Sequence, residues 1–258
     1  MKALRSVVLL GSVVLAGVSG WGQVISGTVS TAAPAEDATA KKLAAAEAKL
    51  ADWPQLGRYG AENAALGPVA AGEQRVVFFG DSITDAWGRR PNTGTFFPGK
   101  PYVNRGISGQ TTAQMVVRFR QDVIDLKPRA VVILAGTNDV AGNTGPMTAE
   151  MTEANWKSMA DLARANGIKV IFASILPAAD FPWHRGLEPA GKIRALNGWL
   201  KGYCAENGYM YLDYYSALAD AQGGMAEGLS FDGVHPNAKG YALMGPLAEM
   251  AIAGALGK

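Results

Sequence analysis

The sequence predicts an α/β fold, a doubly wound parallel sheet of about five strands with helices packed on it. Two observations carry this reading. After Gly72, short runs rich in β-branched and aromatic residues alternate with longer amphipathic stretches. The short runs are almost continuously apolar, as strands covered on both faces are. Such alternation is the pattern of βαβ units joined by right-handed crossovers.

Strands are expected at 75–79, 102–104, 130–135, 169–175 and 209–212, each bounded by turn residues. Helices are expected between them at 111–126, 148–165 and 189–206, with a last one at 237–253. No internal repeat at solenoid or propeller spacing interrupts this order.

The residues before the alternation read differently. Lys2 and Arg5 precede an uncharged apolar run over about 7–18, and Gly20 and Gly22 are placed for a cleavage before Gln23. This is the pattern of an export signal at 1–22, so an exported protein, periplasmic or secreted, with no stable membrane anchor after cleavage is expected. An uncleaved anchor or a buried N-terminal helix is the rival reading of the same run, which is short for a bilayer span. Residues 23–39, rich in Ala, Ser, Thr, Gly and Pro, are expected to be a flexible linker. Ala-rich 40–50 favours helix, Asp52-Trp53-Pro54 restarts the chain, and a second short helix is expected near 59–66. Together, 40–72 form a helical leader expected to pack on the main domain, 73–258.

Composition limits the function. With 24 Lys+Arg against 22 Asp+Glu among 258 residues, the net charge of +2 offers no surplus to grip nucleic acid. Cys204 is the only cysteine, which excludes an intramolecular disulfide and a thiolate metal cluster. The only histidines, His184 and His235, are too far apart in sequence for a familiar zinc pattern. No metal and no cofactor is expected.

In a doubly wound sheet, ligands bind outside the carboxyl ends of the strands. Four segments with unusual chemistry fall there. Gly80-Asp81-Ser82-Ile83-Thr84 follows the first strand and places a serine where a helix opens, its N–H aimed at any developing anion; read alone, Asp-Ser is more often a helix cap. Asn104 to Thr112 follows the second strand, and Gly109 there is either a backbone donor or part of an ordinary turn. Gly136-Thr137-Asn138-Asp139 follows the third, with Asn138 either a side-chain donor or a turn residue. Asp232-Gly233-Val234-His235-Pro236-Asn237 precedes the last helix. A carboxylate three residues ahead of an imidazole can accept from Nδ1–H and leave Nε2 free as a base. The four segments supply what acyl transfer needs: nucleophile, base, orienting acid and oxyanion donors.

The ordered blocks GDSIT, NRGISGQTT, GTND and DGVHPN resemble the four signature blocks of the SGNH/GDSL hydrolase superfamily, in that family's order. The resemblance implies a three-layer α/β/α fold of the flavodoxin-like kind. It also implies Ser82 as nucleophile, Asp232 and His235 as its partners, and an oxyanion hole of the Ser82 N–H, Gly109 and Asn138. Ile83 stands where the family has leucine, and Gln110 where many relatives carry an acidic residue.

Other hydrolase and nucleotide motifs, GxSxG, HExxH, SxxK, GxGxxG and GK[ST], do not occur. The substrate expected is a short-chain carboxylic ester, a small molecule or a polysaccharide, with acetyl esters of carbohydrates in view. The Pro- and aromatic-rich segment 176–185 lies on the expected site side; its Trp183, His184 and Arg185, together with Asp81, are the candidate substrate-binding residues. A lysophospholipase or arylesterase of the same fold and a non-catalytic carbohydrate-binding module are the alternatives.

Overall fold

The computed structural model describes residues 34–257. The expected export signal and most of the expected linker lie outside them. The chain divides into two units, Met1–Ala45 and Ala46–Lys258. Helix α1 (Pro34–Ala51) begins in the first and ends in the second. It starts before residue 40, inside the stretch expected to be linker, because a proline fixes φ near the helical value and loses no bond in the first turn.

In the second unit, α2 (Gly60–Ala65) is followed by five parallel strands: β1 (Val76–Gly80), β2 (Tyr102–Gly106), β3 (Ala130–Leu134), β4 (Lys169–Ala173) and β5 (Met210–Leu212). Their order is β2-β1-β3-β4-β5. The winding therefore reverses between β1 and β3, the crevice where such sheets hold ligands. Between and after the strands come α3 (Ser82–Ala86), α4 (Thr112–Asp122), α5 (Thr137–Ala141), α6 (Ala149–Ala165), α7 (Ala190–Asn207), α8 (Tyr215–Leu218) and α9 (Ala238–Ala255). No helix among the described residues is long and apolar enough to cross a membrane.

Both sheet faces are covered, which is why the strands read as continuous apolar runs. Val77, Phe79, Val131, Ile133, Val170 and Phe172 share one core with Phe119, Trp156, Met159 and Leu200 of α4, α6 and α7. Their neighbours Val76, Phe78, Val132 and Ile171 share the other with Tyr241, Met244 and Ile252 of α9. At roughly 1.5–3 kcal/mol per fully buried large apolar side chain, these layers dominate the stabilisation. The expected helix at 111–126 is interrupted after Asp122, where Val123 leaves helical geometry and a 3₁₀ turn, Ile124–Leu126, completes it.

One buried cation organises the carboxyl end of the sheet. Arg118, fully buried on α4, donates to Gly80 O (3.0 Å), Arg105 O (2.9 Å), Gln110 Oε1 (2.5 Å) and Asp122 Oδ2 (3.0 Å). Its guanidinium also lies 4.1 Å from the Phe79 ring centroid. A charge withdrawn from water is tolerable only when its donors are satisfied in this way. The effect is to join the ends of β1 and β2 to the loop that carries Gly109.

Of the expected leader, residues 53–67 contact the strands and helices that follow, Leu66 packing on the core and Gly67 O accepting from Arg75 at 3.4 Å. Gln114, Gln110 and Gln121 donate to Trp53 O, Pro54 O and Leu56 O at 2.7, 2.7 and 2.6 Å. Tyr59 is fully buried; its hydroxyl donates to Gly106 O, and the guanidiniums of Arg58 and Arg105 approach its ring at 4.5 and 4.6 Å. Residues 46–51, by contrast, expose every side chain described there.

Candidate active site

Ser82 is the first residue of α3, so its N–H is one of those a helix leaves without an internal partner. Asp81 caps this helix by accepting from Ile83 N at 2.9 Å. Four further contacts hold the short element in place. Asn104 Nδ2 donates to Thr84 O (2.6 Å), Tyr241 Oη to Ile83 O (2.7 Å), and the Ser108 hydroxyl and N–H to Asp85 Oδ2 (2.6 and 3.3 Å). Glycine is required where α3 crosses the strand ends. A Cβ on Gly80 would sit 2.7 Å from Leu134 O, and one on Gly106 would sit 2.6 Å from the Thr84 carbonyl carbon.

The loop before α9 reaches the same point. Ser82 Oγ lies 2.9 Å from His235 Nε2, and His235 Nδ1 lies 2.8 Å from Asp232 Oδ2. The other carboxylate oxygen, Oδ1, accepts the backbone N–H groups of Val234 (3.0 Å) and His235 (2.8 Å). The three-residue spacing works because the chain turns at Gly233, whose φ is +85°. Partial burial alone would raise the Asp232 pKa, but the bonds from the His235 N–H and imidazole outweigh it and hold the group below its ordinary value. Asp232 is therefore an anion fixed against Nδ1, and Nε2 is left to accept from the serine hydroxyl.

Asn138, on α5, is buried and donates to Gln110 O at 2.9 Å and to Asp81 Oδ2 at 3.3 Å. Its own Oδ1 accepts from Asn143 Nδ2 at 2.7 Å. That bond fixes which end of the amide faces Asp81 and the start of α3. Gly109 has φ +81°, and its carbonyl accepts from Asn143 Nδ2 at 3.5 Å. The structure thus brings Ser82, Asp232 and His235 together, and links Asn138 and Gly109 through one asparagine. Asn143 was not singled out from the sequence, although it stands in a turn, Gly142-Asn143-Thr144-Gly145, directly after α5.

The four candidate substrate-binding residues divide. Trp183 is 43% exposed, its ring centroid is 5.8 Å from that of His235, and its Nε1 donates to Asn143 Oδ1 at 3.0 Å. His184 is held through Nδ1 by Ala141 O at 2.7 Å. Arg185 is turned outward, 76% exposed, with Asp180 at 3.7 Å. Asp81 requires correction: it is fully buried, its oxygens are occupied by Ile83 N and Asn138, and it cannot touch substrate. Its helix-capping role takes precedence, because an α3 without a cap would leave buried N–H groups unsatisfied. Gln110 also faces inward, between Arg118 and Pro54, so its departure from an acidic residue acts on packing of the leader.

Burial pushes the Asp81 carboxyl up to about 6 against the Ile83 N–H bond and nearby His235, which lower it. A raised pKa means that this group favours the fold most when protonated, below its ordinary value of 3.8, and that the benefit is lost as pH rises through about 6. Asp81→Asn retains the cap without the charge. Its Nδ2 faces that of Asn138, a cost that does not vary with pH, so its stability relative to wild type is expected to improve between pH 4 and pH 8 by on the order of 3 kcal/mol. Urea unfolding at both pH values checks this; a difference independent of pH would contradict it.

Asp139, beside Asn138, accepts from the Thr112 N–H at 3.0 Å and from the hydroxyls of Thr112 and Thr152, tying α5 to the starts of α4 and α6. No group of three or more His, Cys, Asp or Glu suited to a metal ion occurs among the described residues.

Residues 78–243 match the GDSL-like Lipase/Acylhydrolase family. The chain is similar to a GDSL-like lipase from Bacteroides thetaiotaomicron: 45% identity, TM-score 0.74, covering 78% of this chain and 98% of that one. Esterase TesA from Pseudomonas aeruginosa is 30% identical over 176 residues, 64% of this chain and 81% of its own. An acetylxylan esterase from Geobacillus stearothermophilus is 37% identical over 93 residues, 28% of this chain and 42% of its own. The chain spans less than half the length of that esterase and of the Bacillus subtilis lipoprotein YqeF, which it also matches.

Proposed function

The chain belongs to the GDSL-like lipase/acylhydrolase family, and from that premise we propose that it is an exported serine esterase hydrolysing short-chain carboxylic esters, acetyl esters of carbohydrates among them, through an acyl-enzyme. One observation carries the reading: the continuous line Ser82 Oγ, His235 Nε2, His235 Nδ1, Asp232 Oδ2, with links of 2.9 and 2.8 Å. Export rests on the charged-then-apolar sequence of the first 22 residues.

In the acylation step Ser82 Oγ attacks the ester carbonyl carbon while its proton passes to His235 Nε2. Asp232, already ionised, stabilises the imidazolium. The carbonyl oxygen becomes an oxyanion facing the Ser82 N–H, the Gly109 N–H and the Asn138 amide, which Asn143 orients and which exchanges its long bond to Asp81 Oδ2 (3.3 Å) for the oxyanion. Each such donor is worth about 10²–10³ in kcat. The C–O bond to the alcohol then breaks, and the alcohol leaves with the proton from His235. Water, deprotonated by the same imidazole, attacks the acyl-enzyme, releasing the acid and restoring Ser82.

Similarity to the Geobacillus acetylxylan esterase supports the lean toward short acyl groups. Purified protein assayed with nitrophenyl esters of two to sixteen carbons is expected to show its highest kcat/KM at acetyl or propionyl, falling by about tenfold or more for long chains. A steady rise with chain length would favour the lysophospholipase reading, and no hydrolysis of any ester would defeat the esterase itself.

A further inference from the structure

An open groove of about 850 Å³, within the size range of ligand sites, is lined by Trp183, whose ring centroid lies 5.8 Å from that of His235. Gly109 and Trp183 belong to both the groove and the site. The opposite wall comes from the leader: Trp53, Gln55 and Arg58. Nothing in the motifs of the site accounts for this wall.

The leader wall is fixed. Trp53 O and Pro54 O are each bonded by a glutamine side chain at 2.7 Å, and Tyr59 a few residues on is fully buried. Trp53 remains 39% exposed and Trp183 43% exposed, so the groove is bordered by two indoles with surface to offer. Trp183 is itself braced, stacked on Phe181 at 5.2 Å and bonded to Asn143.

The rest of the lining narrows the ligand. It contains no Leu, Ile, Val, Met or Phe, so a long acyl chain would find little aliphatic surface. Its charges are already engaged. Asp52 accepts from Leu56 N and Gly57 N at 2.7 and 3.0 Å, and Arg58 lies over the Tyr59 ring and 3.4 Å from Glu62. The other polar groups are neutral: the Gln55 amide, together with Ser108, Thr144, Asn143 and Gln114, which are bonded within the protein to Asp85, Thr111, Asn138 and Trp53 O and whose hydroxyl oxygens keep lone pairs that can still accept. Flat indoles for the C–H faces of a ring, with neutral hydrogen-bonding groups for its hydroxyls, suit an uncharged sugar.

We propose that this groove binds the glycan part of an acylated neutral oligosaccharide, with Trp53 of the leader as a stacking platform and specificity determinant. The proposal rests on the esterase reading for the fate of the acyl group, while sugar binding stands apart from it. Full-length Ser82→Ala protein is to be titrated calorimetrically with xylo-oligosaccharides, with and without O-acetyl groups, and with lysophosphatidylcholine. Saturable binding of the sugars is expected, weakened about tenfold by adding Trp53→Ala, the loss of one aromatic stacking contact. Trp53→Phe should recover part of the affinity, which a folding defect would not allow.

With Ser82 restored, Trp53→Ala should raise KM for acetylated xylo-oligosaccharide about tenfold with little change in kcat, a larger effect than on KM for nitrophenyl acetate. Equal effects on both substrates, no sugar binding, or preferential binding of the lysolipid would overturn the proposal. If wild type hydrolyses no ester yet the sugar titration and its Trp53 dependence persist, the esterase reading fails and the groove assignment stands.

Discussion

Ser82→Ala is expected to lower kcat on nitrophenyl acetate by about 10⁵-fold or more while leaving the fold intact. The substitution deletes the attacking oxygen, and with it the covalent intermediate, so the residual rate can come only from binding and the oxyanion donors. Little packing is lost, because Ser82 is only half-buried at the start of α3 and the cap on that helix is made by Asp81. Near-ultraviolet dichroism should be unchanged. A serine-directed fluorophosphonate should modify wild type at Ser82 and leave the variant unlabelled. Retention of more than about a tenth of the wild-type rate would remove Ser82 from the mechanism.

The second large effect separates the two histidines. His235→Asn is expected to lose about 10³-fold or more in kcat, because Nε2 has no replacement at 2.9 Å from Ser82 Oγ. His184→Asn should cost less than about tenfold, since its Nδ1 is engaged with Ala141 O and its contribution is to hold the Trp183 loop. The comparison is read from kcat and KM of both variants on one short ester. If His184→Asn proves the dead variant, the base has been assigned to the wrong imidazole.

The strands were legible because both sheet faces are buried, which leaves an apolar signature independent of any partner's identity. The Asp232–His235 contact was legible because the two residues are close in sequence, so a short-range pattern encodes it. Arg118 and Asn143 were not legible for the opposite reason. Arg118 acts through Gly80, Arg105 and Gln110, and Asn143 through Gly109, Asn138 and Trp183, contacts between separate elements that leave no spacing in the chain. Asp81 was misread because a capping carboxylate and a substrate-facing one look alike beside a serine; only burial separates them. The leader shows the same limit, since its Trp53 reads only as part of the break before the second helix until Gln114 fixes its backbone against α4.

The close crossing of α3 over the ends of β1 and β2 has a consequence for how this protein tolerates change. At Gly80 and Gly106 the space for a side chain is taken by backbone and by Thr84, so any added carbon must displace the α3 segment that carries Ser82 or the strand ends beneath it. At exposed loop residues such as Trp183 and Arg185 a change of side chain meets no such wall and can proceed one residue at a time. These two positions offer no such gradual path: neither meets a substrate, yet together they set the range of sequences through which the chemistry can pass.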